Sequence, residues 1–193
     1  MFGWILFLTY AFITAGTPGP NNVMSMSNGK RYGFRGALPF NLGIWCGFST
    51  VMVLCAVFCS LLSECIPKIQ MPMLAIGALY ILHLAWETFR ASPEMEEHKA
   101  NAGFASGLFL QFVNPKIFIY GIVSMEAYIL PHYAGQVPAV FAFAMLLAFI
   151  GFAFTLLWSA FGSVFRRLFS RHGKTVNTLM ALALVYCAVS LFL

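Results

Sequence analysis

Aspartate does not occur in this 193-residue chain, and only 9% of its residues are charged, against about a quarter in an ordinary soluble domain. So few polar groups cannot coat a water-facing surface, which excludes a soluble domain of this size and makes lipid the solvent. Long polar stretches are missing too, so no separate soluble domain fits between the apolar runs. The five cysteines (Cys46, Cys55, Cys59, Cys65, Cys187) contain no CxxC pair and lie in or beside apolar stretches. A disulfide framework is not expected, and each reads as a small apolar residue. Lysine and arginine are absent before the first apolar run, and no clean cleavage site follows it. The N-terminus therefore reads as a retained helix rather than a signal peptide.

What is present is hydrocarbon: 61% of the residues are apolar and the mean hydropathy is +0.84. A membrane-crossing helix needs roughly 20 mostly apolar residues, and runs over 2–27, 38–62, 71–89, 104–130, 137–165 and 176–193 meet that need. The expected fold is all-α, one polytopic membrane domain over 1–193 with six transmembrane helices. The net charge of +5 does not point to nucleic acid, because of where the charges sit. Lys30, Arg31 and Arg35 follow the first run, Arg90 and Lys99 the third, and Arg166, Arg167, Arg171 and Lys174 the fifth. Nine of the eleven Lys and Arg thus fall in odd-numbered connections. Cytoplasmic loops collect such residues, so both termini should face the outside. Of the other two, Lys68 lies between the second and third runs and Lys116 inside the fourth.

Six runs invite a test for a 3+3 inverted repeat, whose best sequence pointer is a Gly/Pro interruption at matching places in both halves. The first run carries Thr17, Pro18, Gly19, Pro20, Asn21 and Asn22; the fourth carries Val113, Asn114, Pro115 and Lys116. Pro18 and Asn114 are 96 residues apart, half the chain length. Both breaks fall roughly three-fifths of the way in from the outer face, as inversion requires. The repeats would cover about 1–97 and 98–193. Each proline removes an amide donor and clashes with a carbonyl one turn back, and the freed groups must face protein or a watery cavity rather than lipid. A fresh helix N-terminus suits a carboxylate, and the asparagine amides both donate and accept. A structural kink is the plainer alternative for either break alone. An ammonium at the depth of Lys116 costs at least ~2.5 kcal/mol on insertion scales and is functional by default. It would hold a substrate carboxylate, or else pair with Glu126 or the carbonyls that Pro115 exposes.

Other polar residues point less clearly to function. Glu87 and Arg90 read as an interfacial ion pair, and His83, one turn before Glu87, as a packed residue rather than part of a proton relay. Gly43/Gly47 and Gly103/Gly107 each match G-x-x-x-G, which permits close helix contact. Trp4, Trp45, Trp86 and Trp158 fit interfacial or packing roles. Cys55 and Cys59 share a helix face, but no further soft ligands accompany them, and no cofactor is expected.

The stretch Ile13–Asn22, with its Thr17-Pro18-Gly19-Pro20-Asn21-Asn22 core, resembles the signature of the lysine-exporter (LysE/RhtB) family of amino-acid effluxers. Gly33-Phe34-Arg35-Gly36, Gly77-Ala78-Leu79-Tyr80 and Leu110-Gln111-Phe112-Val113-Asn114-Pro115-Lys116 resemble it as well, so the likeness covers essentially the whole chain. Leu168-Phe169 with Gly173, and Leu184–Val189, resemble the branch that exports cysteine and O-acetylserine. The resemblance implies six helices, transport out of the cytoplasm across a bacterial inner membrane, and coupling to the proton gradient. The expected partners are a small neutral amino acid and membrane lipid, and a homo-oligomer is compatible. The candidate substrate-binding residues are Thr17, Pro18, Gly19, Pro20, Asn21, Asn22, Gln111, Asn114 and Lys116. An exporter of homoserine, threonine or lysine is the alternative within the family, although no carboxylate stands at midplane depth to receive a cation. A membrane thiol–disulfide electron carrier is the alternative from another class, although neither break holds a cysteine. A structural scaffold would leave the matched breaks without a purpose.

Overall fold

Two prolines two residues apart, Pro18 and Pro20, end the first helix, α1 (Trp4–Gly16), and start the next. Thr17 takes up extended dihedrals (φ −61°, ψ 147°), as a residue before proline is pushed to do. Pro20 opens α2, where its missing N–H costs nothing. The same construction recurs in the second half. Helix α3 (Phe104–Val113) stops at Asn114, extended at φ −99°, ψ 100°, and Pro115 opens α4 (Pro115–Val123). In this computed structural model, which describes residues 2–90, 103–164 and 173–189 (side chains excepting 60–70, 73 and 173), α4 runs into a π-helical turn, Ser124–Ile129. Short α5 (Leu130–Tyr133), then α6 (Val137–Val164) and α7 (Gly173–Val189), complete the chain; the described residues form no strand. Lys99, Arg166, Arg167, Leu168, Phe169 and Arg171 lie outside the described residues, as do the last four residues and the side chains of Cys65 and Lys68.

Helix α2 (Pro20–Arg90) is continuous in hydrogen bonding but is broken at Gly33 (φ 72°, ψ 170°) and Phe58 (φ −117°, ψ 28°) into segments 20–32, 34–57 and 59–90. The segments fold back on each other. Ser25 Oγ donates to Asn41 Oδ1 at 2.7 Å, where a straight helix would set them about 24 Å apart. Phe40 and Ile81 share one core, where a straight helix would separate them by about 60 Å. The expected connection over 63–70 is instead helical, and the bend sits earlier, at Phe58. Residues 59–66 contain no Gly or Pro to stop a helix.

By length and hydropathy, Pro20–Cys59 and Val137–Val164 are able to cross a membrane, and α3 with the helix after it, bent by 64° at Asn114, counts as a third such span. Ile5, Leu6, Leu79, Leu157 and Tyr186 are among many large apolar residues left uncovered. In water such a surface would aggregate; against hydrocarbon it is the ordinary exterior.

Close approach of backbones sets the packing. A Cβ on Gly43 would sit 2.0 Å from the carbonyl oxygen of Phe104, and one on Gly107 would sit 2.2 Å from that of Phe40. The glycine motifs therefore lock segment 34–57 onto α3. Gly29 and Gly162 bring segment 20–32 and α6 equally close, with added Cβ atoms 2.1 Å from Ser159 O and Met26 O. Two apolar cores result. One gathers Phe7, Ala11, Met52, Phe118 and Phe143 around α1, segment 34–57, α4 and α6. The other gathers Val23, Phe40, Ile81, Leu110 and Leu184 around α2, α3 and α7.

Candidate functional site

Between the cores, where both proline breaks arrive, a small cavity is lined by Thr14 and Ala15 of α1, Gly19, Pro20, Asn21 and Asn22 of the first break, and Asn114 and Lys116 of the second. Ile44, Phe48, Ile117, Tyr120, Gly151 and Thr155 close it. It leaves about 40 Å³ for the centre of a water-sized sphere, room for roughly three waters by that measure.

The breaks are joined directly. Lys116 Nζ reaches from α4 to donate to Thr17 Oγ1 at 2.9 Å, and that hydroxyl donates to Thr14 O at 2.9 Å. A side chain at position 19 would stand 3.2 Å from the same ammonium, so glycine there gives the lysine its room. Asn21 and Gln111 exchange their amides reciprocally, Nδ2 to Oε1 at 2.8 Å and Nε2 to Oδ1 at 3.1 Å. Gln111 Nε2 also donates to Gly107 O at 2.8 Å. The pairing of Lys116 with Glu126 does not occur: Glu126 is exposed on the π-helical turn, about 15 Å along the helix from Lys116.

The carbonyls stranded at the end of α1 each find a partner. Asn22 Nδ2 donates to Ala15 O at 2.8 Å and to Thr17 O at 2.9 Å, and Trp158 Nε1 donates to Gly16 O at 3.3 Å. Asn22 is thus a stitch across the break. Replacing it with leucine is expected to lower stability by about 1–3 kcal/mol, the cost of leaving buried polar groups unpaired. Thermal unfolding of the detergent-solubilised protein measures this, and an unchanged midpoint would show that the stitch carries no load. At the second break Asn114 Oδ1 accepts from Lys116 N at 3.2 Å, an N-cap. The fresh amides differ accordingly. Those at α4 are partly satisfied by Asn114, whereas Asn21 N and Asn22 N begin a helix and have no partner within it.

Of the sequence-derived candidates, Gly19, Pro20, Asn21, Asn22, Asn114 and Lys116 line the cavity. Thr17 holds the lysine from one side, and Gln111, fully buried, stands behind Asn21. Pro18 is exposed and does not line it. Sequence reasoning missed Tyr120 and Thr155. Tyr120 is 2% exposed, its hydroxyl has no partner, and its ring stacks on Tyr10 with centroids 5.9 Å apart. One helical turn separates it from Lys116, so the spacing alone could have nominated it. Thr155 gave no comparable signal, sitting inside an unbroken apolar run.

The remaining polar residues lie elsewhere. Glu87 Oε1 is 3.7 Å from His83 Nε2, and the Arg90 guanidinium lies over the Trp86 ring at 5.4 Å. The His83 side chain is 62% exposed rather than packed, because its helix turns that face outward. Cys55 and Cys59 are free thiols in the first core, and the described residues place no three His, Cys, Asp or Glu together to hold a metal.

Over residues 12–193 the chain matches the family described as LysE type translocator. It is 39% identical over 188 residues to the cysteine/O-acetylserine efflux protein of Salmonella typhimurium (strain LT2), covering 96% of this chain and 95% of that one. The protein of the same name from Klebsiella pneumoniae is 39% identical over 184 residues (95% and 93% covered), and that of Escherichia coli (strain K12) 38% over 188 (96% and 95%). No solved structure matches the chain.

Proposed function

The chain belongs to the LysE type translocator family, and from that premise we propose that it exports cysteine and O-acetylserine from the cytoplasm through the cavity between its two breaks. It is a transporter rather than an enzyme. The observation that carries the reading is the meeting of the breaks: Lys116 at 2.9 Å from Thr17, and the Asn21–Gln111 pair beside it. The substrate carboxylate would sit against the Lys116 ammonium and the amides that open segment 20–32, where the helix dipole also favours an anion. The substrate ammonium would face the carbonyl end of α1, the Asn114 side chain and the hydroxyls of Thr155 and Tyr120. Asp and Glu are absent from the lining, so a second positive charge, as on lysine, would go unpaired at a cost of several kcal/mol. A neutral amino acid is favoured.

Six crossings give this chemistry a frame. We assign α1 with segment 20–32 as one broken crossing, segments 34–57 and 59–90 as two, α3 with α4 as the second broken one, and α6 and α7 as the last. The identical build of the two breaks, an extended residue before a helix-opening proline, supports a 3+3 inverted repeat. Basic residues in odd connections support a bacterial inner-membrane location with both termini periplasmic. Coupling to the proton gradient rests on family likeness alone. Room for about three waters is less than an amino acid needs, so loading requires the cavity to open to one side at a time.

Cells overproducing the protein should retain less labelled cysteine and O-acetylserine than cells without it, with lysine and threonine pools unchanged. Equal retention of both substrates would overturn the assignment; selective loss of threonine or homoserine would move it to the alternative branch.

A further inference from the structure

Below the cavity, toward the basic connections, a second polar cluster lies buried inside the protein. Ser25 and Asn28 continue the face of segment 20–32 that begins at Asn21, at helical spacing. Asn41 of segment 34–57 is bonded to Ser25 at 2.7 Å, and the Ser159 backbone of α6 touches Gly29. Ser25, Asn41 and Ser159 are fully buried and Asn28 is 5% exposed. Asn28 Nδ2, Asn41 Nδ2 and Ser159 Oγ are all without a hydrogen-bond partner. Buried polar atoms are nearly always paired, so three orphans in one packed region mark surfaces that meet something else in another arrangement.

The backbone shows how they would be uncovered. Segment 20–32 is helical but has a joint at each end: Thr17–Gly19 above, and below it Gly33 at φ 72°, ψ 170°, a conformation essentially reserved to glycine. Between those joints it rests on α6 through main-chain contacts at Gly29 and Gly162, and Lys30 Nζ donates to Asn177 Oδ1 of α7. Turning on its two joints, the segment would part from α6 and α7 as one rigid body.

We propose that segment 20–32 is the inner gate, and that Ser25, Asn28, Asn41 and Ser159 line the path by which a zwitterionic amino acid passes from the cytoplasm to the cavity. The proposal rests on the export reading and goes further, assigning the moving element and the cytoplasmic route. With the gate shut the path is dry and its amides are idle; with the gate open, water and the substrate carboxylate supply the missing partners.

Single substitutions Ser25→Cys, Ser159→Cys and, as an equally buried control in the first core, Ala144→Cys test this in membrane vesicles. The probe is a cationic methanethiosulfonate that does not cross the bilayer, and the native chain gives the baseline for its own five cysteines. Thiol reaction requires access, so Ser25→Cys and Ser159→Cys should label about ten-fold faster than Ala144→Cys from the cytoplasmic face, and not from the other. Labelling no faster than the control, in vesicles that still move O-acetylserine, would refute the path. Labelling of the variants, with no O-acetylserine movement in vesicles holding the native chain, would keep the path and refute the export reading. Hydrogen exchange on the native chain checks the gate without substitution. Amides of 23–32 should exchange about ten-fold faster than those of 45–57, since local opening sets the rate; equal protection refutes the hinge.

Discussion

Lys116→Met should reduce export to the background of cells lacking the protein while the variant still accumulates in the membrane. The ammonium sits at a helix break, donates to Thr17 Oγ1 at 2.9 Å and borders the cavity. Losing the ammonium that would pair with the substrate carboxylate costs about 2–5 kcal/mol for a buried, hydrogen-bonded charge pair, roughly thirty-fold to several-thousand-fold in transport at limiting substrate. Insertion should not suffer, because a lysine at this depth is itself unfavourable by at least ~2.5 kcal/mol and methionine has a similar length. Thr17→Val, which removes only the partner that orients the ammonium, should give the same defect in smaller measure, about ten- to a hundred-fold for one hydrogen bond to a charge. Transport at the native rate in Lys116→Met would remove the lysine from the site and with it the proposed carboxylate position.

The second large effect concerns stability. Gly107→Val should leave little folded protein, and Gly43→Val should do the same. Their new Cβ atoms would lie 2.2 and 2.0 Å from main-chain oxygens of the facing helix. A flexible neighbour could turn away, but a carbonyl inside a helix cannot, so segment 34–57 and α3 would have to part by more than 1 Å along their whole contact. Overpacking ordinarily costs about 1–3 kcal/mol, and this case falls at or above the upper end. A loss of 3 kcal/mol corresponds to about 6–12 °C in a chain of this size. Gly3→Ala, whose Cβ meets nothing nearer than 4.0 Å, should stay within about 0.5 kcal/mol of the native chain. Fluorescence-monitored thermal unfolding in detergent decides the matter: a Gly107→Val midpoint equal to that of Gly3→Ala would show that the helices are not locked there.

Much of this arrangement was legible before any coordinates. Proline chemistry fixed both breaks to the residue, because a ring without an N–H leaves a helix few choices. The breaks and the polar residues beside them supplied nine candidates, of which six line the cavity. What the sequence could not convey was allocation. Asn22 and Asn114 are chemically alike, yet the first spends its amide on the carbonyls of α1 and the second caps α4; only the geometry of each break decides which. Pro18 belongs to the same motif as Gly19 and still faces away. The connection expected over 63–70 failed because it was inferred from a dip in hydropathy, which polar residues within a continuing helix also produce. The G-x-x-x-G spacings were legible, but their partners were not, since glycine is frequent here and spacing alone names no opposite helix.

The reciprocal amides of Asn21 and Gln111 join positions 90 residues apart, one in each half of the chain. Energetically this makes the halves a single object at the places where each is weakest. Damage on one side should therefore already contain much of the damage on the other: the two single alanine variants together should lose more than the double variant does, an epistasis of about 0.5–3 kcal/mol for residues in contact. Evolution along such a chain cannot tune one half at a time, and a tolerated change at position 21 constrains what position 111 can become.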